Sequence, residues 1–239
     1  MMLPEIEAQF HEGVLHDALE AFSLNRELVH DLGGFESRVY EVQTTQGQQL
    51  IMKITHTLRR SPEVLMGELD FVHHLSQHGV PVSCPVRATD GAWVVVLPQA
   101  NGSSFLALAY EKVPGRATKA ADLQPLLVSK LGHVMGRMHA LSRTYTSPEP
   151  DWKRQEWHDD PLFDPCWIPA EQQQVLEQSQ TWMAKLRQRP RSRATYGLVH
   201  SDLHQGNFFI TAANPGDPDP GQLWVFDFDD CEYHWFVND

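Results

Sequence analysis

The sequence predicts an α+β fold of two lobes, an antiparallel sheet with one main helix followed by a mostly helical lobe. Three observations carry that expectation. Short β-branched and aromatic runs, broken at Gly33-Gly34, Gly47 and Asp90-Gly91, fill the first half. One sharply bounded helix interrupts them between Ser61 and Gly79. After Pro114-Gly115 the apolar spacing turns helical, which sets the lobes at 1–112 and 113–239.

Taken in order, residues 4 to 24 place Ile6, Phe10, Val14, Leu15, Ala18, Leu19 and Phe22 on one helical face. Residues 28 to 55 read as three short antiparallel strands. Ser61 as N-cap, Pro62 at the first helical position, Glu63 in the first turn and Gly79 as the stop bound the next helix. "CPVRATDGAWVVVL" and "SFLALAYEKV" supply two more strands, the first turning as a hairpin arm at Asp90-Gly91. In the second lobe Leu123, Leu127, Leu131, Val134, Met138 and Leu141 share a helix face. A Pro-rich, Trp-rich loop, a helix over "PAEQQQVLEQSQTWMAKLRQR" and a strand pair around "TAANPGDPDPG" complete it.

Composition narrows the function classes. The 239 residues are 41% hydrophobic, enough for a real core. With 19 Lys and Arg against 31 Asp and Glu, the net charge of −12 argues against nucleic acid or an anionic membrane and favours a neutral or cationic small molecule. Three cysteines without a C-x-x-C suit a reducing compartment. The acidic, His-bearing start lacks a signal-peptide pattern, and no run approaches ~18 apolar residues, so the expectation is cytoplasmic.

Chemistry concentrates in "HSDLHQGN", residues 200 to 207, and "VFDFDD", residues 225 to 230. On a strand, Asp227 and Asp229 would point to one face, and two converging carboxylates call for a cation of the Mg²⁺ type. Zinc on His200, Asp202 and His204 is a competing reading, weakened by the lack of further histidines until His234. A glycosyltransferase DxD is a second; it leaves "HSDLHQGN" idle. Phosphoryl transfer uses both segments, and it demands a glycine turn, a strand lysine and a helix glutamate upstream. Gly33, Gly34 and Ser37, then Lys53, then Glu68 occur in that order. Glu68 falls on the core side of its helix, where an unpaired charge is costly, and Lys53 is its expected partner.

These motifs resemble the aminoglycoside phosphotransferase family, the small-molecule branch of the protein-kinase-like fold, whose pattern is H-G-D-x-H-x-x-N followed by an apolar-D-[FW]-[DEG] strand. The resemblance runs from Gly33 to Asp239. It implies ATP or GTP between the lobes, with Glu111 and Val113 offering backbone contacts to the base and Lys53 on the phosphates. It implies Asp202 as catalytic base, Asn207 and Asp227 as Mg²⁺ ligands with Asp229 assisting, and supporting roles for His200 and His204. Two departures stand out: Ser201 replaces the usual glycine, and the chain stops at "WFVND", where the family continues into further helices. A truncated chain with an incomplete helical lobe is therefore expected.

The implied acceptor is a small hydroxyl-bearing molecule such as an aminoglycoside, choline, homoserine or a related amino alcohol. Trp152, Trp157 and Trp167 with Asp151, Asp159, Asp160 and Asp164 could bind an amine, though a loop packed by its tryptophans is the favoured reading. A protein kinase of the same fold and a non-catalytic nucleotide-binding module are the alternatives.

Overall fold

The protein is described from a computed structural model covering residues 3–239. The first helical stretch is two helices, α1 (Pro4–Glu7) and α2 (Glu12–Ala21), rather than one. The break at residues 8–11 lets Phe10 turn edge-on against Phe105, with the Arg38 guanidinium over its ring. Ile6, Val14, Ala18 and Leu19 are buried as the periodicity requires.

The next strands are β1 (Leu24–Gly33), β2 (Arg38–Thr44) and β3 (Gln49–His56), all antiparallel neighbours. The helix α3 (Pro62–Gln77) begins where its signals place it: Ser61 Oγ accepts from the Val64 amide at 3.3 Å. It ends before Gly79, which adopts φ +72°. Then come β4 (Pro85–Val86), β5 (Val95–Pro98) and β6 (Ser104–Glu111). The turn at Asp90-Gly91 exists, but β4 and β5 both pair with β6. One edge of β6 lies along β3, and its other edge is shared by two strands each too short to cover it alone.

The second lobe holds β7 (Arg116–Ala117), α4 (Pro125–Ser142), α5 (Gln173–Arg187), β8 (Tyr196–Val199), β9 (Phe208–Ile210), β10 (Leu223–Val225) and β11 (Glu232–Trp235). Leu127, Val134 and Met138 are buried on α4, whereas Leu123 precedes the helix and is exposed. Of the three tryptophans in the Trp-rich loop, Trp157 is the buried one, against Trp235 and Phe163. Trp167 is exposed, so the three tryptophans form no cage.

α3 serves both lobes. Leu65 and Leu69 pack under Leu106 and Leu108 of the sheet, while Phe71, Val72 and Leu75 enter the core with Leu198, Phe208 and Val225. The chain entering β4 reinforces this join, since the Ser83 amide donates to the Val225 carbonyl and the Val225 amide to Pro81. Arg154, itself buried, locks the loop between α4 and α5 onto α3 by donating to Val64 O at 3.1 Å, and onto the residue before β11 by donating to Cys231 O at 2.7 Å.

Candidate active site

A cavity of about 630 Å³ lies between the sheet and the second lobe. Its walls include Gly34, Ser37, Lys53, Val113, Asp202, Asp227 and Asp229, whereas Gly33, Glu68, Glu111 and Asn207 do not line it. The β1–β2 turn forms the roof. A Cβ on Gly34 would overlap the Ser37 carbonyl, so this turn closes only with glycine there. At the connection after β6, Val113 faces the cavity, and the Glu111 carbonyl already accepts from Ser83 Oγ at 2.7 Å.

Lys53 does not take the expected partner. Its Nζ lies 3.3 Å from Asp229 Oδ1 and 3.4 Å from Asp227 Oδ1. Burial would lower its pKa, but Asp229, Asp227 and Glu68 outweigh this and hold it above the ordinary lysine value. Glu68 is buried, accepts from Tyr110 Oη at 2.5 Å through Oε1, and has no hydrogen-bond partner on Oε2. Burial raises the Glu68 pKa against the pull of Lys53. The physical reason is competition: two carboxylates outbid one for a single ammonium.

The segment that carries Asp202 is a turn following β8. Ser201 has φ +72°, the left-handed conformation the missing glycine would have met without strain. Asp239 pins it, accepting from the His200 amide at 3.2 Å, the Ser201 amide at 2.7 Å and His139 Nε2 at 2.8 Å. The buried His200 ring donates from Nε2 to Phe226 O at 3.0 Å and accepts at Nδ1 from the Asp202 amide at 3.3 Å. Burial lowers its pKa, which suits that neutral tautomer. With both nitrogens occupied His200 is no zinc ligand, and among the described residues no three His, Cys, Asp or Glu side chains gather as a metal cluster.

Asn207 Nδ2 donates to Asp202 O and to Asp202 Oδ2, each at 2.9 Å. Its Oδ1 is left to accept from elsewhere or to meet a cation. The Asp202 carboxylate is half exposed on the cavity wall.

Asp227 and Asp229 converge, but not by strand alternation. β10 ends at Val225, and Asp227 has φ +65°, so the chain turns sharply where the strand reading had it extended. Such a conformation in a non-glycine residue is strained and is retained where the surroundings impose it. Asp227 keeps half its side chain exposed to the cavity; Asp229 lies deeper, beside Lys53 and within 3.9 Å of Arg60 Nε. Burial would raise the Asp229 pKa, yet Lys53, Arg60 and Arg154 hold it down at about 2.

Four residues here carried no sequence signal. Tyr110 reads as an ordinary strand aromatic, and Arg60, which reaches Asp230 Oδ1 at 3.0 Å, as a loop cation. Arg154 sits in an irregular loop, and Asp239 contacts the catalytic turn across 38 or more residues.

Comparison with known proteins agrees with this geometry. The sequence pattern of the phosphotransferase enzyme family matches residues 28–239. The amicoumacin kinase of Bacillus subtilis (strain 168) is 39% identical over 237 residues, 98% of this chain and 68% of that protein. A homoserine kinase of Burkholderia vietnamiensis is 28% identical over 205 residues, 83% of this chain and 58% of that protein. A solved amicoumacin kinase in complex with AMP-PNP, Ca²⁺ and Ami superposes with a TM-score of 0.91 at 40% identity, covering 99% of this chain and 69% of that one. A microcompartment-associated aminopropanol kinase shares the fold at a TM-score of 0.75 and 23% identity, with 95% and 71% covered. The chain thus spans roughly two-thirds of some relatives and little over half of others. With the two-lobed kinase fold and both motifs in place, the chain belongs to the phosphotransferase enzyme family, among relatives that are small-molecule kinases.

Proposed function

We propose that the chain transfers the γ-phosphoryl group of ATP to a hydroxyl of a small acceptor. The observation that carries this is the meeting, in one cavity, of Lys53, the half-exposed Asp227 and the Asn207-held Asp202, contributed by three segments far apart in sequence. Small-molecule acceptors are supported by the amicoumacin and homoserine kinases among the relatives. An amine-bearing acceptor fits the net charge of −12.

Asp202 orients the acceptor hydroxyl and takes its proton, a contribution typically worth ~10²–10⁴-fold. Asn207 fixes that carboxylate through its amide. Lys53 binds the nucleotide phosphates, Gly34 and Ser37 cover them, and Val113 contacts the base. Asn207 Oδ1 and Asp227 form an all-oxygen donor set of the kind Mg²⁺ accepts, and Asp229 holds Lys53 beside it. Bound there, Mg²⁺ supplies charge neutralisation to the phosphates. Positioning and electrostatics then account for most of the rate.

The test is turnover with ATP or GTP across a panel of amino alcohols and hydroxylated amines. Wild-type transfer that Asp202→Asn abolishes while retaining nucleotide affinity supports the assignment. Equal turnover by Asp202→Asn contradicts it.

A further inference from the structure

Lys53 and Tyr110 face the same side of the sheet. In the β3–β6 register Lys53 pairs with Leu108 and Ile51 with Tyr110, so the lysine and the tyrosine are diagonal neighbours. Glu68 reaches that face from α3 and is only 1% exposed. Among the described residues the Tyr110 hydroxyl is the one hydrogen-bond donor to Glu68, through Oε1 at 2.5 Å. Oε2 is buried without a hydrogen-bond partner, and Lys53 forms its ion pairs elsewhere. A buried carboxylate with no cation against it is costly. Here the ammonium sits instead on Asp227 and Asp229, where a divalent cation would meet Asp227.

We propose that Tyr110 is a positioning residue: by holding Glu68 through Oε1 it keeps that carboxylate off Lys53, and the lysine rests on Asp227 and Asp229. The arrangement makes Lys53 an internal stand-in for the divalent cation. A cation entering alone must displace it. A nucleotide, whose phosphates draw Lys53 away, clears Asp227 at the same moment. Metal and nucleotide therefore favour each other's binding, and the unpartnered Glu68 Oε2 is the acceptor available to Lys53 when a metal alone displaces it. The inference rests on the proposed function for the identity of the cation site.

The test titrates Mn²⁺ alone into the nucleotide-free full chain, followed by electron paramagnetic resonance, with circular dichroism establishing the fold of each variant. Tyr110→Phe strips Glu68 of its donor, Lys53 moves to Glu68, and Mn²⁺ binds at least about tenfold more tightly, since one displaced opposite charge shifts a carboxylate's affinity by that order. The Tyr110→Phe/Glu68→Gln double variant returns to wild-type affinity. A hydroxyl with a purely structural role would lower the unfolding temperature and leave Mn²⁺ affinity unchanged, and that result in folded Tyr110→Phe overturns the assignment. Should Tyr110→Phe fail to fold, Lys53→Met decides: it tightens Mn²⁺ binding by about tenfold or more if the lysine is the stand-in, and no change overturns the proposal. Thermal stabilisation of the wild type by AMP-PNP with Mn²⁺ is recorded separately. Its absence counts against the proposed function, whereas the metal-alone affinities speak to Tyr110.

Discussion

Asn207 grips Asp202 twice, donating from one side-chain amide to the backbone carbonyl and to Oδ2, each at 2.9 Å. The proposed base and the residue proposed to hold the metal are thus one unit. Asp202→Asn should lower kcat by ~10²–10⁴-fold with little change in nucleotide affinity. Asn207→Ala should lower kcat as well and, unlike Asp202→Asn, raise the metal concentration needed for half-maximal rate. Steady-state kinetics against Mg²⁺ separates the two.

His200 should make the fold acid-sensitive. Burial lowers its pKa below the ordinary value near 6.5, so in mild acid the unfolded chain binds a proton that the native chain refuses. Stability is therefore unaffected by this group above about pH 6.5, falls as pH drops below that, and stops falling once the native ring protonates. Urea unfolding of His200→Gln between pH 7 and 5 should show a shallower loss, smaller by up to about one proton, than the wild type. An unchanged slope would mean that other histidines carry the effect.

How much of this was legible in the sequence divides along physical lines. Ser61, Pro62 and Gly79 act on their own neighbours, so the bounds of α3 could be read directly. The roof turn and the two second-lobe motifs were legible for the same reason: their chemistry is local. Partner choice was not. Lys53 was expected on Glu68, and it went to Asp229 and Asp227 because three carboxylates, brought together only by folding, compete for it. Period-two alternation suggested that Asp227 and Asp229 converge. They do so through a left-handed turn at Asp227, a feature that aspartate tolerates but no pattern announces. Tyr110, Arg154 and Asp239 were invisible since each acts on residues far from it in the sequence.

Gly67 tests the join between α3 and the loop linking α4 to α5. A Cβ there would overlap the Trp152 carbonyl, the backbone that Arg154 anchors two residues later. Although alanine favours helix more than glycine does, Gly67→Ala should destabilise by about 1–3 kcal/mol, because backbone rather than a mobile side chain must yield. Chemical denaturation measures it. A stabilised variant would show that the contact relaxes freely.

Ser201 separates strain from bonding. Its hydroxyl donates to Glu232 Oε1 at 3.1 Å while its backbone sits at φ +72°. Ser201→Ala keeps the strain and loses the bond, and should cost about 1 kcal/mol. Ser201→Gly loses the same bond but relieves the strain, and should lie within about 0.5 kcal/mol of wild type. Equal losses in the two variants would remove strain from the account.

The central claim is that Asp227 and Lys53 mark a metal–nucleotide site. Isothermal titration of AMP-PNP, with and without Mg²⁺, into wild type, Asp202→Asn and Asp227→Asn tests it most directly. Mg²⁺-dependent binding is expected in wild type and in Asp202→Asn, and loss of the Mg²⁺ dependence in Asp227→Asn. Binding by Asp227→Asn that still strengthens with Mg²⁺ as wild type does would contradict it.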